Sequence, residues 1–281
     1  MNLKTLSTIT FLIVLLISPT FCMAGEIPVS QKTVRKDEKP NKAGVQSFIP
    51  KNSRQAIIVL SDNWSNLRSK MYLCSKQDSS WQLDTESFPA VIGKKGLAWG
   101  IGVHGDKSIG SNEYFASKKE GDLRSPAGIF TIGKCFGYAA KPPFDMKIEY
   151  EQILSTYHGV DDTKSKYYNQ ILDTSKLEGD YKQYWKSHEL MKRKDDLYKW
   201  LFIINHNPDN IPGNGSLIFL HLWRNKDKGT AGCTAIDEDN FLKLMHWIDK
   251  SKNPIIIQLT YSSYEWARRQ CGLPEITNPK N

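Results

Sequence analysis

The sequence has few of the residue patterns that hold metals, cofactors or nucleic acids. Its five cysteines form no Cys-x-x-Cys pair and no spaced Cys/His set, which argues against structural zinc and a thioredoxin-like redox motif. Lysine and arginine outnumber aspartate and glutamate by 38 to 30, but no basic block predicts nucleic acid as a partner. Residues 100–105 match a Gly-x-Gly-x-x-Gly fingerprint without the helix start that a nucleotide site needs. We therefore predict no metal and no cofactor.

The N-terminal apolar run is shorter than the roughly 20 residues that a membrane-spanning helix needs. This run, residues 9–17, follows Lys4 and precedes a small-x-small pattern at residues 22–24, as is typical of a secretory signal peptide. We expect residues 1–24 to be removed on export, leaving no stable membrane span. Residues 25–52 are rich in Lys, Pro, Gln and Ser and indicate a flexible linker.

Four cysteines would remain after export: Cys74, Cys135, Cys233 and Cys271. An oxidising compartment permits disulfides. If Cys233 stays a free thiol, at most two of the other three can pair, and the sequence leaves that pairing open.

Short runs of strand-forming residues dominate the rest of the chain. Those in the N-terminal part are separated by Asn, Ser and Asp clusters and predict a meander of antiparallel strands; they are residues 55–60, 70–74, 81–83 and 88–92. Two continuous apolar runs, residues 201–205 and 216–220, predict central strands.

Helical patterns occur in two places. Residues 138–200 are rich in Tyr, Lys, Asp and Glu with patchy helical periodicity, and we interpret them as a mostly helical insertion. Asp237 is a good N-cap for an amphipathic helix, which is followed by a last strand at residues 254–259. The predicted fold is a β-rich α+β domain over residues 53–262, with residues 263–281 as a C-terminal tail.

The chemistry centres on His221, at the end of an apolar strand, and Cys233, twelve positions later. A cysteine becomes a nucleophile when a base, a positive environment or a helix N-terminus favours its thiolate. His221 is the candidate base, Arg224 and its basic neighbours supply positive charge, and a helix is predicted soon after. Gly232 lets a substrate approach the thiol, and we expect backbone N–H groups there to form an oxyanion hole.

Four motifs, taken in order, resemble the L,D-transpeptidase catalytic domain, the YkuD-like family. They are the turn at residues 93–96, the Gly-Asp-Leu-Arg-Ser-Pro-Ala-Gly stretch at residues 121–128, the strand that ends in His221, and the Thr-Ala-Gly-Cys segment at residues 230–233. The resemblance covers about residues 53–260. It implies a mixed β-sheet or sandwich core and acyl transfer through a cysteine thioester, without a metal.

The resemblance also implies roles for single residues. Cys233 falls on the nucleophile of the family, His221 on its general base and Gly232 on the glycine before the nucleophile. Thr230 matches a Ser or Thr of the family. Ala231 departs from the pattern, because the family usually has a second histidine at that position. His206, which follows a neighbouring predicted strand, is a candidate to supply the lost polar function.

We predict an exported cysteine acyltransferase, periplasmic or associated with the cell wall, that performs L,D-transpeptidation on peptidoglycan stem peptides. A hydrolase is the alternative within the class, either an L,D-carboxypeptidase or a cross-link-cleaving enzyme in which water replaces the acceptor amine. The alternative from another class is a non-catalytic cell-wall binding module. The sequence leaves the oligomeric state open.

Overall fold

The computed structural model describes residues 48–105, 109 and 115–278. The predicted signal peptide and residues 25–47 of the predicted linker lie outside the described residues. The strands that follow are numbered in chain order: β1 (Gln55–Ser61), β2 (Arg68–Gln77), β3 (Ser80–Leu83), β4 (Phe88–Val91), β5 (Leu97–Trp99), β6 (Ser125–Gly137), β7 (Tyr150–Gln152), β8 (Tyr157–Val160), β9 (Gln170–Asp173), β10 (His188–Leu190), β11 (Trp200–Ile204), β12 (Phe219–Leu222), β13 (Thr234–Ile236) and β14 (Ile255–Thr260). The α-helices of the described part are α1 (Glu238–Trp247) and α2 (Tyr261–Cys271).

The main sheet is mixed and closes on itself. Its strands are hydrogen-bonded in the order β1, β14, β6, β11, β12, β13, β4 and β2, and β2 pairs again with β1. Two neighbouring pairs in this ring are parallel, β1 with β14 and β12 with β13, and the other pairs are antiparallel. The β-rich fold and mixed sheet agree with the prediction.

Strands β1 and β14 are buried along their whole length. Their apolar residues do not alternate with polar ones because both faces are covered, one by the interior of the ring and the other by packed elements such as α2. The predicted amphipathic helix is present as α1, whose N-cap Asp237 accepts a hydrogen bond from the Asn240 N–H. Part of the expected C-terminal tail is also ordered, because α2 buries Tyr264 and Ala267.

The prediction that residues 138–200 are mostly helical is wrong. The segment contains β7 and a separate three-stranded sheet in the order β10, β8, β9, and its helical parts are single 3-10 turns at Thr174–Lys176, Tyr181–Gln183 and Asp196–Tyr198. An aspartate side chain caps each turn at its N-terminus, and left-handed residues, Asn169 and Gly179, interrupt the chain between elements. Local capping therefore closes each helical turn before it extends.

Two hydrophobic clusters stabilise the domain. The larger fills the ring and the space beneath the helices. The smaller joins β11 and β12 to the 138–200 segment and includes Tyr198, Leu217, Phe219 and Cys233. The nucleophile candidate thus lies where this segment packs on the ring. Within the described residues, no helix is long and apolar enough to cross a membrane.

A buried polar bridge ties β13 to the opposite side of the ring. The Thr234 hydroxyl donates to the side-chain oxygen of Gln258, and the Gln258 side-chain amide donates to the Pro126 carbonyl over 2.9 Å. Thr234 and Gln258 are fully buried. The bridge holds the residue after Cys233 against β14 and β6.

Replacing this bridging glutamine should destabilise the fold. In Gln258→Leu, the Pro126 carbonyl and Thr234 hydroxyl lose their buried partner, at a cost of about 2–4 kcal/mol. Urea unfolding measures the difference, with Gln82→Leu, an exposed strand glutamine, as the matched control. Equal stability of the two variants would contradict the role given to the bridge.

Candidate active site

The parallel pairing of β12 with β13 brings the two candidate catalytic residues together. Leu220 pairs with Thr234 and His221 with Ala235, so Cys233, one position before β13, lies alongside Phe219. The Phe219 N–H donates to the Cys233 sulfur over 3.4 Å, and the thiol donates to the Leu217 carbonyl over 3.5 Å. The loop between β12 and β13 therefore folds back, as proton transfer from Cys233 to His221 would require.

The imidazole of His221, the candidate base, is neutral. Its Nδ1 lies 2.7 Å from the Leu222 carbonyl oxygen, and since a carbonyl only accepts, Nδ1 carries the proton and Nε2 keeps a free lone pair. Burial lowers the pKa of the imidazole to about 4. The ring is therefore neutral at pH 7, with its one proton on Nδ1.

The thiol of Cys233 is also neutral at rest. Burial, followed by the charge of Glu189, raises its pKa to about 12, and the Phe219 N–H and the charges of Lys118 and Arg193 lower it less. The three residues of β13 and the N-cap Asp237 separate Cys233 from the start of α1, so the helix does not begin at the thiol. No hydrogen bond joins the side chains of His221 and Cys233, both of which are described. The resting site holds a thiol and an imidazole rather than an ion pair.

Hydroxyl groups fix the backbone around the thiol. The Thr230 hydroxyl donates to the Cys233 carbonyl over 2.5 Å and accepts from the Gly232 N–H over 3.1 Å. The Ser125 hydroxyl donates to the same carbonyl over 2.8 Å. The Gly232 N–H, which was expected to remain free, is therefore engaged. A Cβ added at Gly232 would lie 3.2 Å from the Arg124 carbonyl oxygen, so the glycine also permits close packing.

The other predicted residues divide between the cleft and the core. Arg224 lines the cleft with Cys233 and lies 3.2 Å from the Asp195 carboxylate. His206 is buried elsewhere: its Nδ1 accepts from the Ile101 N–H over 3.2 Å, and its Nε2 donates to the Asn214 carbonyl over 2.8 Å. Both ring nitrogens of His206 thus make structural hydrogen bonds, and the structure does not bring His206 into the cleft.

The cleft has a volume of about 410 Å³ and a mixed-charge lining. Its cations are Lys94, Lys118, Arg193, Arg224 and Lys228, and its carboxylates are Glu120, Asp161 and Glu189. Among the residues that the structure describes, no group of His, Cys, Asp and Glu side chains is arranged to hold a metal ion.

Lys118 is a cleft residue that the sequence analysis missed. Its side chain is only 3% exposed, and its ammonium lies 2.6 Å from both the Asp122 carboxylate and the Lys119 carbonyl. Asp122 is fixed in turn by the N–H groups of Lys119 and Arg124. In the sequence, Lys118 stands in a run of charged residues typical of a solvated loop, and tertiary packing places its side chain beside Gly215 and Gly232.

The chain matches the family model of the L,D-transpeptidase catalytic domain, YkuD, over residues 64–257. The chain belongs to this family. This match confirms the resemblance to the L,D-transpeptidase catalytic domain that the sequence motifs indicated. No curated protein matches the chain.

One solved structure is similar to this L,D-transpeptidase family member. It is the helical cell shape determining protein Pgp2 from Campylobacter jejuni, with 15% identity, 76% of this chain covered and a TM-score of 0.31. The chain spans about half, 53%, of the length of that protein.

The buried ammonium of Lys118 should raise the reactivity of the thiol. Lys118→Met removes a nearby positive charge and should slow alkylation of Cys233 by iodoacetamide at pH 7 about tenfold. Lys119→Met, an exposed neighbour, should stay within about twofold of the original rate. Peptide mass spectrometry follows the modification of Cys233, and equal rates in the two variants would contradict this role.

Proposed function

We propose that the protein is an exported cysteine acyltransferase of the L,D-transpeptidase family that acts on peptidoglycan stem peptides. One observation carries the proposal: a neutral imidazole on β12 and a buried thiol directly before its partner strand β13 line a single cleft. Family membership supplies the substrate class. The predicted signal peptide supports export to the periplasm or cell wall.

The reaction begins with a proton transfer that accompanies nucleophilic attack. His221 Nε2 takes the proton of the Cys233 thiol while the sulfur bonds to a stem-peptide carbonyl carbon. The tetrahedral intermediate collapses as His221 returns the proton to the departing amine, so that a terminal D-amino acid leaves and a thioester remains. An acceptor amine then attacks the thioester, gives its proton to His221, and the thiol is regenerated.

The groups around Cys233 and His221 stabilise the charges that develop in the transition state. They do not stabilise a thiolate and an imidazolium in the resting site. Burial disfavours both the thiolate and the imidazolium in the resting site. In the transition state, the Leu222 carbonyl stabilises the imidazolium and the cations of Lys118 and Arg193 stabilise the developing negative charge. With the Gly232 N–H bonded to Thr230, we assign the Cys233 N–H as the oxyanion donor.

Hydrolysis is the second candidate, and the size of the cleft favours it. A second cavity, about 580 Å³, is lined by residues such as Asp62, Arg68 and Tyr261 and does not include Cys233. The cleft at Cys233 is about 410 Å³, so a donor stem bound there leaves limited room for an acceptor stem. Water fits beside a bound stem more easily than a second stem does, which would make the protein an L,D-carboxypeptidase or a cross-link-cleaving enzyme.

Mass spectrometry of the purified mature protein tests these functions. A carbapenem should acylate Cys233, and muropeptides should give dimers if an amine accepts the acyl group or shortened monomers if water does. Cys233→Ala should abolish the adduct and the products. His221→Ala should slow acylation by at least about 100-fold, while His206→Ala leaves it near normal. A wild type that neither reagent modifies would support the binding module, and loss of acylation only in His206→Ala would reverse the roles of the histidines.

Acylation should persist at acidic pH. The imidazole of His221 must be neutral to accept the proton, and its pKa is lowered to about 4 by burial, so the rate should fall only as the pH approaches that value. The measurement is the rate of carbapenem acylation between pH 4 and pH 8, relative to its plateau. A midpoint near 6.5, the ordinary value for histidine, would contradict a buried base.

Tryptophan fluorescence between pH 4 and pH 8 is the control that shows whether the protein stays folded. The buried residues His206 and His221 both have folded pKa values lowered to about 4, so the unfolded chain binds protons that the folded chain does not. Their contribution to stability is present above about pH 6.5 and is lost as the pH falls towards 4.

A further inference from the structure

Tyr198 lies against both of the residues that flank the reaction centre on β12. Its buried ring stands edge-on to His221, with centroids 5.2 Å apart, and edge-on to Phe219, with centroids 5.6 Å apart. These two residues point to the same side of β12 because strand side chains alternate. The Phe219 N–H also donates to the Cys233 sulfur. One aromatic ring therefore contacts the candidate base and the residue that holds the nucleophile.

Other residues of the 138–200 segment hold Tyr198 in place. Its hydroxyl donates to the Glu189 carboxylate over 2.8 Å, and the Arg193 guanidinium lies 5.0 Å from its ring centroid. Since a phenol has one proton to donate, the hydroxyl is occupied by Glu189 and does not serve the thiol. The ring is thus the part of Tyr198 that acts on β12.

His221 needs such a contact because, among the described residues, its side chain makes one hydrogen bond. The bond from Nδ1 to the Leu222 carbonyl sets the tautomer but leaves the imidazole able to tilt about the bond. A packed ring removes that freedom and keeps water from the base, and misplacing a catalytic group by about 1 Å costs on the order of 100-fold in rate.

We propose that Tyr198 is a positioning residue that holds the His221 imidazole in the orientation set by Leu222. The 138–200 segment then contributes to catalysis by positioning the base, in addition to packing on the sheet. This inference rests on the proposed function of His221 as the base.

Charged side chains link the same segment to the loop after β12. Asp195 binds Arg193 over 2.7 Å and Arg224 over 3.2 Å. Arg193 and Asp195 are also the charged groups that act on the His221 imidazole, and their effects on its pKa are opposite. The other titratable and charged groups that line the cleft are Lys94, Lys118, Glu120, Asp161, Glu189, Arg224, Lys228 and the Cys233 thiol. A change at Tyr198 therefore reaches the base mainly through packing and water access.

The test compares Tyr198→Phe with Tyr198→Leu in the mature protein. The phenylalanine ring should keep carbapenem acylation within about threefold of wild type, while leucine should slow it about 10- to 100-fold. In iodoacetamide alkylation of Cys233 from pH 4 to pH 8, leucine should also move the acidic midpoint up by about one to two pH units, because water reaches the imidazole. Phenylalanine should leave this midpoint unchanged.

Tyr181→Leu is the matched control for damage to the segment. Tyr181 packs on His158 and Trp185 in the same part of the chain and does not line the cleft. Tyr181→Leu should lower the midpoint of thermal unfolding. It should leave the acidic midpoint of Cys233 alkylation unchanged. If Tyr198→Leu does not fold, Tyr198→Met, which keeps a long apolar side chain but has no ring to pack on His221, should shift the acidic midpoint in the same direction.

Two outcomes would overturn the inference. An unchanged acidic midpoint in Tyr198→Leu would show that the ring does not act on His221. A loss of acylation in Tyr198→Phe as large as in Tyr198→Leu would assign the effect to the hydroxyl. Failure of the proposed function looks different, because wild-type Cys233 would then form no carbapenem adduct, while the iodoacetamide profile would still report on the imidazole.

Discussion

The candidate site depends on the parallel hydrogen bonding between β12 and β13. This pairing sets His221 opposite Ala235 and so places Cys233 beside Phe219, whose N–H reaches the sulfur. A shift of one residue in this register would turn every side chain of β13 to the other face. The buried bridge from Thr234 to Gln258 and the hydroxyls of Thr230 and Ser125 all act to hold this one alignment.

Burial gives the site its chemical character. The thiol and the imidazole are both neutral at rest because the surrounding groups remove water from them. The nearby cations Lys118 and Arg193 are each paired with an aspartate, so they contribute positive potential without being free to move. In the proposed mechanism, a proton moves from the Cys233 sulfur to the His221 nitrogen only when a substrate carbonyl is present to receive the electron pair.

The 138–200 segment forms one side of the cleft. Its small sheet and single helical turns build one wall of the cleft from Asp161, Glu189, Arg193 and Tyr198. The same segment shares a hydrophobic cluster with Cys233 and Phe219. The core of the segment and the part of the candidate site around Cys233 are therefore packed together in one cluster.

The sequence by itself determined the family, the β-rich class, the amphipathic helix after Asp237 and the pair of Cys233 and His221 as candidates. These follow from local patterns: continuous apolar runs, an N-cap and ordered short motifs. Tertiary structure decided that residues 138–200 are sheet and capped turns, because several short segments acquire strand character only by pairing with one another. It also decided that Lys118 is buried, that His206 is a structural residue and that Tyr198 reaches His221, since each depends on contacts between parts of the chain far apart in sequence.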